Sequence, residues 1–246
     1  MGKTDVHCHI IPGADDGSKS MDMSMEMIGM AAAQGFDSFF ATSHFSPMFD
    51  GCHGTALREK LLRLQEACSK KYGEKIRIFP GQELMYCESS MELLHRGEAQ
   101  TLADSRYVLM EFYPSESANV IRHAVRELVN MGYIPILAHA ERYEEIKQEE
   151  QFGELIAAGA LLQMNYGSLT GGLLDMRAAK CRKLLYNGLI HFLGTDMHDT
   201  GRRGPETGKA CDWLEKHLDE EYVREITYGN AQRVINNDRI INIGKI

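Results

Sequence analysis

Asp5, His7 and His9 recur at every second position near the start of the chain, with Val6, Cys8 and Ile10 between them. In an extended strand, side chains two apart lie on one face. Two imidazoles about 6–7 Å apart along such a face can close on a single metal ion, while Cys8 points away as a packing residue. Asp196 and His198 repeat the arrangement near the other end of the chain. Between them, His44, Glu83, Glu111 and His139 each follow an apolar run, and Asp15-Asp16-Gly17 adds carboxylates after the first. Taken singly, each of these is an ordinary hydrogen-bonded or solvated residue. The set is not ordinary: Glu111 closes the run Tyr107-Val108-Leu109-Met110, where burying an uncompensated carboxylate would cost several kcal/mol. Imidazoles and carboxylates gathered at strand ends read as a metal site. His53, His95, His123, His191 and His217 lack a partnering acid at ligand spacing and read as structural.

Short apolar runs must deliver these groups. The predicted strands are Lys3–Ile10, Phe36–Thr42, Ile76–Gly81, Tyr107–Phe112, Ile134–Ala138, Ala160–Asn165 and Ile190–Gly194. Helical patterns separate them over Met21–Gln34, Thr55–Tyr72, Ser90–Arg96, Ser117–Met131, Glu144–Ala158, Leu173–Asn187 and Pro205–His217. Gly35, Gly132, Gly159 and Gly188 stand just past helical patterns, where a left-handed cap is expected. Met21, Met23, Met25 and Met27 alternate like a strand, but Ser20 is a good N-cap and Ala31 to Gln34 favour helix. The methionines read as adaptable core filling. Seven strand-then-helix units imply parallel strands with helical crossovers. Periodicity alone leaves an open sheet and a closed barrel both open.

At 246 residues, with no linker, repeat or low-complexity tract, residues 1–246 read as a single α/β domain, since α/β barrels reach this length. A net charge of −8 argues against nucleic acid or an anionic membrane surface as partner. There is no run of eighteen apolar residues and no signal-peptide core, and Val6 stands where a myristoylation signal at Gly2 needs Ser or Thr. The six cysteines are scattered without a CxxC pair, which argues against a zinc ribbon, a redox dithiol or a secreted disulfide framework. The expected location is the cytoplasm, with reduced thiols.

The opening Asp5-Val6-His7-Cys8-His9 with Pro12-Gly13-Ala14-Asp15-Asp16-Gly17 resembles the PHP (polymerase and histidinol phosphatase) superfamily. It is most similar to the bacterial PHP-type protein-tyrosine phosphatases encoded with capsule and exopolysaccharide genes. Further matches follow in order: Ala41-Thr42-Ser43-His44, Gly81-Gln82-Glu83, Asp104-Ser105-Arg106-Tyr107 leading to Glu111-Phe112, His139-Ala140-Glu141-Arg142-Tyr143, and Thr195-Asp196-Met197-His198. The resemblance implies a distorted (β/α)7 TIM-like barrel with three metals, usually Mn²⁺. One metal would take His7, His9, Glu83 and Asp196; a second Glu83 as bridge, Glu111 and His139; a third Asp16, His44 and His198. Arg142 and Arg203 match arginines that grip phosphate and assist the leaving group, with Arg202 adjoining. The chain departs from many relatives after His44, where Phe45-Ser46-Pro47-Met48-Phe49-Asp50-Gly51 replaces a second His and a Gly/Tyr loop; this bears on leaving-group preference.

Three divalent ions against four carboxylates leave two positive charges, suited to a phosphate monoester dianion. Oxygen and imidazole donors without thiolate suit Mn²⁺, Fe or Zn²⁺. The expected reaction is in-line attack on phosphorus by a hydroxide bridging the metals that share Glu83, with His198 or Arg203 near the departing phenolate. The implied substrate is a phosphotyrosine protein, the autophosphorylated tail of a tyrosine kinase, with no direct membrane insertion. Other readings are a histidinol-phosphate phosphatase or other small-molecule phosphoesterase and, from another class, a non-catalytic regulator binding a phosphotyrosine tail. An amidohydrolase is disfavoured because no strand-end lysine stands ready for carbamylation. Cys52 to Arg58 matches the bare Cys-x5-Arg spacing of thiol phosphatases, but without a His before the cysteine, and a motif without its context is weak.

Overall fold

The computed structural model describes residues 2–45, 54–172 and 174–240. Cys52, His53 and most of the Phe45–Gly51 segment therefore lie outside the described residues. In chain order the strands are β1 (Lys3–Cys8), β2 (Phe36–Ala41), β3 (His44–Phe45), β4 (Arg77–Pro80), β5 (Glu83–Met85), β6 (Tyr107–Glu111), β7 (Ile134–Leu137), β8 (Leu161–Asn165) and β9 (Phe192–Gly194). The helices are α1 (Met21–Ala33), α2 (Gly54–Tyr72), α3 (Glu88–His95), α4 (Ala118–Asn130), α5 (Glu149–Ala157), α6 (Met176–Tyr186), α7 (Gly208–His217), α8 (Glu220–Arg224) and α9 (Asn230–Ile235).

Every strand pair is parallel, in the orders β1-β2-β4 and β3-β5-β6-β7-β8-β9. The two sheets are continuous, because β2 runs on into β3 and β4 into β5 across two-residue breaks. Ala41 stands opposite Pro80 before the breaks and His44 opposite Glu83 after them. At the first break the Thr42 hydroxyl takes over a strand role, accepting from Cys8 N at 2.9 Å. The ring then closes between its first and last staves: Asp196 N donates to His7 O at 2.8 Å and His9 N to Met197 O at 3.0 Å. The seven predicted runs are thus seven staves of a distorted, closed parallel barrel, the arrangement that periodicity left open.

Alternation along the strands sorts the apolar residues into two cores. Phe39, Val108, Met110 and Leu193 join an outer core with Met27, Ile28 and Ala31 of α1 and Ile121 and Leu128 of α4. Phe40, Tyr107, Leu109 and Phe192 form an inner core against Ala231 and Val234 of α9. Each fully buried aromatic contributes roughly 1.5–3 kcal/mol. The inner core fills one half of the barrel, so the polar strand ends occupy the other, at the C-terminal rim where barrels of this type place their chemistry.

The four glycines expected to end helices all have positive φ, between 67° and 106°, and Ser20 caps α1 by accepting from Met23 N. Three predicted helices begin later than their apolar patterns suggested. Asp175 stops α6 from extending further back by capping Arg177 N and Ala178 N. Glu144 to Gln148 form a turn before α5, in which the Gln151 side chain accepts from Gln148 N. Thr207 is drawn to Gln34, whose Oε1 accepts from its N–H and hydroxyl, so α7 starts at Gly208. The segment from α8 to α9 was not anticipated, although Asp219 caps it and Val223, Ile226 and Val234 follow a helical period. A π-helical turn over Glu225–Gly229 joins the two helices.

Candidate metal centre

All nine predicted donors meet at the C-terminal rim of the barrel. His7 Nε2 and His9 Nε2 are 3.2 Å apart, and both face Glu83 Oε2, at 3.0 and 3.2 Å. Asp196 Oδ1 lies 3.7 and 3.6 Å from the same two nitrogens. On the far side of Glu83, His139 Nε2 is 2.9 Å from Oε1 and 3.4 Å from Glu111 Oε1. His44 Nδ1 stands 3.2 Å from Glu83 Oε2 and 3.4 Å from Glu111 Oε2. Asp16, which is 60% exposed, brings Oδ1 within 3.5 Å of His44 Nε2 and 3.4 Å of His198 Nε2. Three donor groups result: His7, His9 and Asp196; His44, Glu83 and Glu111; and His9, Asp16, His44 and His198.

This spacing fits metal ions. Ligands held about 2.0–2.3 Å from an ion in tetrahedral or octahedral geometry stand roughly 3.0–3.5 Å from one another. Glu83 Oε2, Glu111 Oε2 and His198 Nε2 are buried without a hydrogen-bond partner, although buried polar atoms are ordinarily satisfied. The donor chemistry, imidazole with carboxylate and no thiolate, suits hard to borderline divalent ions.

A shell of polar groups sets the ring orientations. His7 Nδ1 donates to Gln163 Oε1 at 3.0 Å, and the same oxygen accepts from His139 N at 2.7 Å. Gln163 Nε2 donates to Asn165 Oδ1, and Asn165 Nδ2 donates to Asp196 Oδ2, each at 2.8 Å. His9 Nδ1 donates to Asp15 Oδ2 at 2.7 Å, and Asp15 also accepts from His44 N and Gly17 N. His198 Nδ1 donates to Asp196 O at 2.9 Å. His7, His9 and His198 thus each spend one ring nitrogen on a fixed acceptor and present the other to the cluster, while both ring nitrogens of His44 face cluster carboxylates. Asp5 accepts from Thr195 N, Thr195 Oγ1 and His7 N, tying β1 to the turn after β9. Asp5 and Asp15 are therefore braces. Gln163 and Asn165 were missed by the sequence reading, although they are an i, i+2 polar pair at a strand end like His7 and His9.

The backbone is bent to the same purpose. His139 and Asp196 have φ of 31° and 54°, a region that costs a non-glycine residue about 1–3 kcal/mol. Ile136 and Ala138 face the inner core, so simple alternation would turn His139 outward; the left-handed turn brings it back to Glu83. Two glycines make room. A Cβ on Gly194 would lie 2.6 Å from His7 Cβ, and one on Gly17 would lie 2.4 Å from His9 Cβ.

Converging carboxylates draw protons onto the rings. Burial opposes charge on His139, yet Glu111 and Glu83 lift its pKa to about 10. Burial likewise opposes charge on His9, but Asp15 and Glu83 raise it well above the imidazole range. Burial would raise Glu83, and the surrounding His7, His139 and His9 reverse this and hold it well below the carboxylate range. His198 goes the other way: burial, His9 and Arg203 push it down to about 4, leaving a neutral ring. The cluster as a whole demands positive charge, which divalent ions meet.

Arg142 Nη2 donates to Asp196 Oδ2 at 2.6 Å. Arg203 reaches Asp16 Oδ2 at 3.3 Å and Asp196 Oδ1 at 3.4 Å. Both line a cavity of about 350 Å³ beside the cluster, and Arg202 lines it too. Of the histidines set aside as structural, His95, His123 and His217 are exposed. His191 is buried, and its Nδ1 accepts from Leu162 N. Arg58, the arginine of the Cys-x5-Arg spacing, makes a surface ion pair with Asp104 at 3.8 Å.

Residues 3–236 match the pattern of the CpsB/CapC family of capsular polysaccharide synthesis. Tyrosine-protein phosphatase YwqE of Bacillus subtilis is 32% identical over 96% of this chain and 92% of its own length. Tyrosine-protein phosphatase CpsB of Streptococcus pneumoniae is 28% identical over 94% and 97%. A crystal structure from work on YwqE and CpsB, described as unique metal-dependent tyrosine phosphatases, superposes with a TM-score of 0.86 at 29% identity, covering 97% of this chain and 96% of that one. The phosphotriesterase from Mycobacterium tuberculosis shares the fold at 12% identity, with a TM-score of 0.61 over 96% and 94% of the two chains.

Proposed function

Because the chain belongs to the CpsB/CapC family of capsular polysaccharide synthesis, we propose that it is a metal-dependent protein-tyrosine phosphatase. The observation that carries this reading is the convergence of nine donors at ligand spacing, with buried donor atoms left unpaired. His7, His9, Glu83 and Asp196 would hold one ion, Glu83, Glu111 and His139 a second, and Asp16, His44 and His198 a third. His44 also faces Glu83 and Glu111, so it borders two of these sites. Mn²⁺ is the metal we assign, with Fe and Zn²⁺ as the other ions the donors suit. When bound, such ions supply Lewis acidity that activates water near neutral pH and neutralises phosphoryl charge.

The chain's own groups do the rest. Arg142 and Arg203 stand on the solvent side of the cluster, where their planar forks can hold the oxygens of a phosphate dianion. Gln163, Asp15 and the Asp196 carbonyl keep His7, His9 and His198 oriented throughout. The departing tyrosine phenolate has a pKa near about 10, so it needs little proton donation and no dedicated acid. The substrate we assign is a phosphotyrosine protein, the tail of a bacterial tyrosine kinase of capsule or exopolysaccharide synthesis, met in the cytoplasm. Among the described residues no helix is long and apolar enough to cross a membrane.

The test compares initial rates on a phosphotyrosine peptide, histidinol phosphate and p-nitrophenyl phosphate, after chelation and after adding Mn²⁺. Activity on the peptide that is lost on chelation and restored by Mn²⁺ supports the assignment. A strong preference for histidinol phosphate transfers it to a small-molecule phosphatase, and tight phosphopeptide binding without turnover transfers it to a regulator.

A further inference from the structure

The cavity beside the cluster holds more positive charge than one phosphate requires. Arg142, Arg177, Arg202 and Arg203 all line it, together with Asp175 and Asp196. Asp196 is engaged by Arg142 and Arg203, and Asp175 uses Oδ1 to cap α6 through the N–H groups of Arg177 and Ala178. Among the described residues, the Arg177 and Arg202 guanidiniums have no ion-pair partner, and both residues are exposed. This concentration occurs in a chain of net charge −8, whose overall field repels anions, so the arginines create a local exception.

Arg177 lies in the first turn of α6, where the helix dipole disfavours positive charge by about 0.3–1 kcal/mol and the Asp175 carboxylate at the N-cap offsets it. Arg202 adjoins Arg203 in a tight turn, where like charges repel. Two guanidiniums without an ion pair of their own, on the rim of one cavity next to a phosphate site, stand open to an anion arriving from outside.

Resting on the phosphatase reading, we infer that Arg177 and Arg202 form a second anion subsite. It selects phosphotyrosine peptides with another acidic side chain, a carboxylate or a second phosphate, a few residues from the reacting one. The phosphotyrosine would enter the cluster between Arg142 and Arg203, and the neighbouring acid would lie against the outer pair.

The test uses Mn²⁺-loaded protein and three fluorescent peptides carrying a non-hydrolysable phosphonate analogue of phosphotyrosine. One has alanine flanks, one aspartate flanks and one a second phosphonate residue. Anisotropy gives Kd for each with the wild type and with an Arg177→Gln/Arg202→Gln double variant. The wild type should bind at least one anionic-flanked peptide about tenfold more tightly than the neutral one, the order a single charge-assisted contact supplies. Whichever peptide gains identifies the anion as carboxylate or phosphate. In the double variant the ratio should fall to about one, and Arg177→Lys/Arg202→Lys should retain part of it. Equal Kd for all three peptides in the wild type, or a preference that survives in the glutamine variant, overturns the subsite. Failure of the wild type to hydrolyse any phosphotyrosine peptide overturns the phosphatase reading instead, and the Kd ratio still decides the subsite.

Discussion

Gln163 makes the sharpest test of how the cluster is held together. It is fully buried, touches no substrate, and its single amide oxygen takes both the His139 N–H at 2.7 Å and the His7 Nδ1–H at 3.0 Å. Gln163→Met keeps the length and removes the acceptor. Two buried donors then lose their partner, at about 1–3 kcal/mol each, so metal-depleted protein should lose about 2–6 kcal/mol in urea unfolding. His7 also loses what fixes its tautomer, and loss of such a partner typically weakens metal affinity about 10–100-fold. Titrating Mn²⁺ into chelated protein, by calorimetry and by recovery of p-nitrophenyl phosphate hydrolysis, should show that rise in Kd with little change in kcat at saturation. Gln163→Glu restores an acceptor for both donors but loses the Nε2–H that Asn165 Oδ1 accepts, so it should recover only part of the affinity. A methionine variant with wild-type Mn²⁺ dependence would refute the claim that Gln163 orients His7.

Two glycines should respond to alanine with opposite signs. Gly194→Ala drives a Cβ to 2.6 Å from His7 Cβ, so it should cost about 1–3 kcal/mol and weaken Mn²⁺ binding. Gly153→Ala, inside α5 with nothing within 4 Å of the new Cβ, should stabilise by about 0.5–1 kcal/mol; thermal melts read both. Burial raises Asp5 from 3.8 to about 6 against the donors from Thr195 and His7, so the folded chain binds its proton more tightly than the unfolded one. Stability of the wild type relative to Asp5→Asn should therefore fall by about 2 kcal/mol as pH rises from about 4 to about 7. In chelated protein, a difference that stays flat or rises contradicts this. Cys52→Ser should leave phosphatase activity intact while chelation abolishes it, and the reverse pattern would move the chemistry to a thiol.

Much of the site was legible in the residue order because strand geometry is local. A repeat of two residues puts His7 with His9, and Asp196 with His198, whatever the rest of the chain does. An acid or imidazole closing an apolar run must likewise stand at a strand end. The seven runs, the glycine caps and the parallel crossovers follow from the same short-range rules. Element starts were less legible, because side chains such as Asp175, Gln151 and Gln34 compete for the first backbone donors of α6, α5 and α7. The segment from α8 to α9 was passed over, and it is what closes the inner core.

Only the tertiary structure could decide which carboxylates brace and which face the cluster. Asp15 and Asp16 are adjacent and chemically identical, yet Asp15 turns in to His9 Nδ1 while Asp16 turns out toward His44, His198 and Arg203. The bends at His139 and Asp196, the close approaches at Gly17 and Gly194, and the acceptor role of Gln163 depend on staves distant in the chain meeting when the ring closes. Types and spacings belong to the sequence because they are set within a few residues. Convergence belongs to the fold, because each donor's direction is fixed by neighbours that only barrel closure brings within a few ångströms.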